Sequence, residues 1–172
     1  MAAAIFTAGT WAGLSATGPG VESATTVSLT AKLDAAQEVP KPRARAGARG
    51  AFSAGLVRTG TGGKLAWRLT FQGLTGSASA SHVHLGKRGK AGTVAVSLCG
   101  PCRSGARGTA TLNPRTVTAL LAGTAYVNVH TKQNAAGEIR GQIVKSAGAP
   151  PPPPAPPTTG TDTGIITYDP YP

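Results

Sequence analysis

Residues Lys64–Gln72 read Lys-Leu-Ala-Trp-Arg-Leu-Thr-Phe-Gln. Leu65, Trp67, Leu69 and Phe71 fall on one parity; Lys64, Arg68, Thr70 and Gln72 fall on the other. Successive side chains of an extended chain point to opposite faces, so this stretch predicts a half-buried strand with Trp67 near the core centre. Ala51–Arg58 precedes it across Gly60-Thr61-Gly62-Gly63, and the two arms read as a hairpin. The same short alternation recurs over Thr26–Leu33, Ser81–Leu85, Val94–Leu98, Arg107–Leu112, Thr124–Thr131 and Glu138–Val144. One segment breaks the pattern. Asn113-Pro114 reads as a helix N-cap with proline at the first helical position, and Gly123 closes the segment. A short helix over 114–122, carrying Val117, Leu120 and Leu121, is predicted there. Eight short strands at this spacing predict an all-β fold, an antiparallel Greek-key-like sandwich or barrel with disordered termini.

The domain is expected to run over 26–145. Residues 1–25 are mildly apolar and rich in small residues, with Leu14-Ser15-Ala16 as a loose cleavage pattern. They read as an export-signal remnant or a disordered tail. Residues 146–172 begin with a proline-rich run that makes a stiff linker, followed by a short polar tail. No apolar run approaches the ~20 residues of a membrane-spanning helix.

Charge is unevenly spread. The chain has 17 Lys and Arg and six acids. The span 26–145 holds all 17 cations but only Asp34, Glu38 and Glu138 of the acids, a balance of +14. Such a surface attracts anions, whether small ones such as superoxide or acidic polymers. The basic loop Lys41–Gly50 has no aromatics to interleave with bases, which argues against specific nucleic-acid recognition. The domain has too few carboxylates for a paired acid/base site, and it has neither a nucleophile elbow nor a P-loop.

The three histidines are the most distinctive chemical feature. His82 and His84 sit at i, i+2 in Ser-His-Val-His-Leu-Gly and would share one face of a strand. His130 closes Tyr-Val-Asn-Val-His, again on the parity opposite an apolar pair. If the two strands are neighbours, the three imidazoles converge away from the core. Imidazole suits copper and zinc, so His82, His84 and His130 are candidate metal ligands with open positions for water or substrate. A ligating histidine usually donates its second ring nitrogen to an outer partner, and Glu138 is the acid nearest in sequence to orient His130. The alternative is that the histidines are hydrogen-bonded fixtures that order loops. Cys99-Gly-Pro-Cys102 lies between short strands rather than before a helix, so a local disulfide in an exported protein is favoured over a redox motif.

Asp34-Ala-Ala-Gln-Glu-Val-Pro, His82-Val-His-Leu-Gly, Tyr126-Val-Asn-Val-His-Thr and Gly137-Glu-Ile-Arg-Gly-Gln-Ile together resemble the CHRD domain, over about Val27 to Val144. The resemblance implies an all-β domain in a secreted, periplasmic or cell-surface setting, and no particular reaction. More weakly, His-Val-His with a distant strand histidine resembles the copper half of copper/zinc superoxide dismutases. That likeness implies three copper ligands, with Arg140 as an anion guide by its place on the outward face. The bridging histidine and the zinc ligands have no counterpart. Three expectations follow: a copper-binding exported domain, a dismutase-like enzyme, or a metal-free adhesion module for acidic polymers. A homo-oligomer in which a neighbour completes the metal site is compatible with the first.

Overall fold

The computed structural model describes residues 25–148. The export-signal reading of the N-terminus and most of the proline-rich linker and tail lie outside the described residues.

The expected strands form one antiparallel sheet. They are β1 (Thr26–Asp34), β2 (Arg49–Thr59), β3 (Gly62–Gln72), β4 (Ala78–Leu85), β5 (Thr93–Cys99), β6 (Arg107–Leu112), β7 (Ala125–Thr131) and β8 (Ile139–Gln142), with a two-residue β9 (Val144–Lys145). The order is β5-β4-β7-β8-β1-β2-β3-β6, and β9 also pairs with β1. The β2–β3 hairpin turns on Gly60 and Thr61 alone, because Thr59 pairs with Gly62.

The sheet curls until its two ends nearly meet. The link between β5 and β6 bridges that gap. Cys102 N–H donates to Ala78 O on β4, while Leu69 on β3 exchanges backbone hydrogen bonds with Ala106 and Gly105. Cys99 and Cys102 stand at disulfide distance, with Cα atoms 5.2 Å apart, and they brace this seam. The result is a nearly closed barrel. Its interior is filled by the apolar parity of each strand, including Leu29, Phe52, Leu65, Trp67, Val83 and Val127.

One end is covered by helix α1 (Pro114–Leu121). Asn113 Oδ1 accepts from Thr116 N–H at 2.8 Å, a side-chain N-cap. Val117 and Leu120 turn inward. Gly63 allows the close approach, since a Cβ there would press on Val117 Cγ2 and Leu56 Cδ1.

The last strand differs from the sequence expectation. Glu138 precedes β8 rather than belonging to it, and the run breaks at Ile143, whose N–H turns to Ala125 O. Beyond the break, Val144 and Lys145 pair with β1. Glu138, Arg140 and Gln142 do point away from the apolar interior, but they are not solvent-facing. All three are buried, because loops fold back over the outer face of β4, β7 and β8.

Candidate metal centre

β4 and β7 are antiparallel neighbours. Their register sets Ala80 opposite His130, His82 opposite Asn128 and His84 opposite Tyr126. All of these histidines lie on the outer parity, while Val83, Val127 and Val129 fill the core side. The β4–β5 register shifts between Ser81 and His82 and again between Val83 and His84. Irregularities of this kind re-aim side chains. The three imidazoles converge: one ring nitrogen from each lies within 4.8 Å of the other two.

The hydrogen bonds set the tautomers. His84 Nδ1 lies 3.0 Å from Gly92 O, and His130 Nδ1 lies 3.0 Å from Ala135 O. A carbonyl only accepts, so both Nδ1 atoms carry the proton and both Nε2 atoms present a lone pair in the neutral rings. His130 Nε2 faces His82 Nδ1 at 3.1 Å. His84 Nε2 is buried with no partner at all. Nitrogens sharing one tetrahedral ion lie about 3.3 Å apart for ordinary metal–imidazole distances. The donor set therefore fits an ion of that type with small adjustments of the rings.

Burial holds the His82 imidazole below its ordinary pKa, and the positive charge that His130 and His84 would carry adds to the effect. Burial likewise lowers His130, opposed by the Ala135 carbonyl and reinforced by His84. Both rings are therefore biased to the neutral, ligating form near pH 7.

Two expected roles are corrected. Glu138 makes no hydrogen bond to His130; the Ala135 carbonyl takes that place. Glu138 accepts instead from Thr75 N–H at 2.7 Å, Thr75 Oγ1 and Thr131 Oγ1 at 2.6 Å each, and Asn134 Nδ2 at 3.0 Å. Burial alone would raise its pKa, but these hydrogen bonds outweigh burial and hold it below the usual carboxyl range. The carboxylate thus ties down Thr131 and Asn134, within the turn that delivers Ala135 to His130. Arg140 is no surface anion guide. It is 1 % exposed, and its Nη2 donates to Lys87 O and Lys90 O at 3.0 and 2.9 Å. Its Cζ lies 3.4 Å from the centroid of the Tyr126 ring, and Tyr126 stacks on His84 with ring centroids 4.9 Å apart.

Sequence reasoning missed several supporting residues. Tyr126 Oη accepts from Gly92 N–H at 3.1 Å, on the same residue whose carbonyl orients His84. Gln142 Nε2 donates to Gly86 O, Gly123 O and Ala125 O. Glu38, 2 % exposed, sits against Asn128 and the Arg140 charge, and burial raises its pKa despite the Val39 N–H, Arg140 and Asn128. Alternation signalled two of them: Gln142 shares the parity of Glu138 and Arg140, and Tyr126 shares that of His130, whereas Glu38 lies outside the strands and carried no such signal.

The chain is thus an antiparallel barrel whose outer flank carries a buried polar layer around three histidines. The family model for the CHRD domain matches residues 29–143. The chain belongs to the CHRD domain family. No curated protein and no solved structure is found to match it.

Proposed function

We propose that this is an exported CHRD-domain protein that binds a transition metal through His82, His84 and His130, with copper as the preferred ion. The observation that carries this reading is the buried, unpartnered Nε2 of His84 beside two other imidazoles. A buried lone pair without a donor costs about 1–3 kcal/mol. A metal ion would satisfy it, and in the neutral state no proton donor does. Two further features support the proposal. Backbone carbonyls orient two of the rings, as outer partners of metal-ligating histidines commonly do. Nitrogen sites also favour copper in the divalent series.

A bound copper would supply Lewis acidity, and three protein ligands leave coordination positions open to water or a small anion. The barrel and its loops hold the rings in place. Glu138 and Gln142 fasten the loops on either side of the site, and Arg140 with Tyr126 packs the base beneath His84. The paired cysteines and the CHRD assignment favour an oxidising, extracytoplasmic setting.

The test is a titration of the purified, metal-free chain with Cu(I), Cu(II) and Zn(II) alongside His82→Ala and His130→Ala. One-to-one copper binding, tighter than zinc and lost in both variants, is the expected result. Affinity no better than that of a flexible histidine tag, with both variants folded, would defeat the proposal.

A further inference from the structure

On the far side of the barrel from β4 and β7, the outer parity of β1, β2, β3 and β6 forms a four-stranded face. The registers align its residues into ranks across the strands. One rank runs Thr30–Ser53–Arg68–Arg107, and the next runs Ser28–Gly55–Ala66–Thr109. Arg68 and Arg107 are therefore directly opposite each other, and both are exposed. Like charges placed directly opposite on a sheet repel.

Among the described residues no carboxylate pairs with either arginine to offset that repulsion. Glu38 and Glu138 are buried elsewhere, and Asp34 at the corner is engaged by Gln37 through both oxygens. These are the three acidic residues among the described ones, and the groups that hydrogen-bond to them are all uncharged. Exposed Lys64 stands four residues along β3 from Arg68, about 13 Å for an extended strand. Exposed Lys32 lies on β1, two residues along from Thr30 and so in the rank next to the arginines. Between these cations the side chains are small or hydroxylic. A shallow depression of about 280 Å³, lined in part by Gly55, Lys64, Ala66 and Thr109, lies beside the paired arginines.

We propose that this face binds a linear acidic polysaccharide, its carboxylates or sulfates paired with Arg68, Arg107, Lys64 and Lys32. Cations spaced along these strands match the spaced charges of such a polymer, and the Ser and Thr hydroxyls suit its sugar hydroxyls. No aromatic side chain occupies the outer parity of these strands to stack a base, which disfavours a nucleic acid. This surface is separate from the histidine centre and does not depend on a metal.

The experiment is calorimetric titration of the full chain with soluble polygalacturonate and with heparin, and separately with a single-stranded oligonucleotide. Arg68→Gln/Arg107→Gln is compared with Arg58→Gln/Arg115→Gln, which removes the same charge from exposed positions off the face. The expected result is that either polysaccharide binds, and that the face variant loses about tenfold or more in affinity while the control variant loses less than about threefold. Equal losses in both variants, no binding of either polysaccharide, or tighter face-dependent binding of the oligonucleotide would overturn the proposal.

Discussion

His130 Nε2 lies 3.1 Å from His82 Nδ1, with the far side of the His130 ring fastened to the Ala135 carbonyl. In the metal-free protein the His82 proton fills the position between the two nitrogens, so a metal that binds there must displace it. In the neutral ring that proton can move to the other nitrogen, so the metal competes only with the second proton that makes an imidazolium.

This competition gives a pH dependence. Both imidazoles have folded pKa values below their ordinary 6.5. The unfolded chain takes up these protons first as the pH falls, so their contribution to stability is fully present above about pH 6.5. It is lost as the pH drops through the lowered folded values. Thermal unfolding of the metal-free protein should show Tm declining below about pH 6.5, with a shallower decline in a His82→Ala/His130→Ala variant. Copper affinity should fall over the same range.

Gly92 presents its carbonyl to His84 and its N–H to Tyr126, where a Cβ would run into the Leu85 carbonyl. Gly92→Ala should displace that carbonyl and free the His84 ring. Loss of an outer partner of this kind costs about 10–100-fold in metal affinity. A copper competition titration checks it, with circular dichroism confirming the fold.

Glu138→Gln places an amide where four donors converge on a carboxylate. The expected cost is about 2–4 kcal/mol, from mismatched buried groups. Chemical denaturation at pH 7 measures it. Because the Glu138 pKa is lowered, its stabilisation is present above the usual carboxyl value near 4.5 and is lost as the pH falls through the folded value. The difference between wild type and variant should therefore shrink in strong acid.

Arg140→Lys keeps the charge but cannot both bridge Lys87 O and Lys90 O and lie flat on Tyr126. We expect a loss of about 1–3 kcal/mol, with faster hydrogen exchange confined to the 86–92 loop. Slowed or unchanged exchange in that loop would contradict the anchoring role.

The barrel was largely readable in the sequence because its strands obey a strict two-residue alternation. Leu65, Trp67 and Leu69 could face only one way once Lys64 and Arg68 faced the other. The convergence of His82, His84 and His130 required one further fact that local pattern does not supply, the adjacency of β4 and β7. The buried polar layer was not legible. Glu138, Arg140 and Gln142 look like solvent-facing residues by parity, and only the returning loops bury them. Nor could the backbone carbonyls of Gly92 and Ala135 be found from residue type, since every residue has one. Glu138, the conspicuous acid, drew the expectation that belonged to Ala135.

The most direct test of the account is X-ray absorption spectroscopy of the copper-loaded chain beside copper-loaded His84→Ala. Three imidazole scatterers at about 2.0 Å in the wild type, and two in the variant, are the predicted result. A spectrum with one imidazole or none, or one unchanged by removing His84, would contradict the three-histidine site.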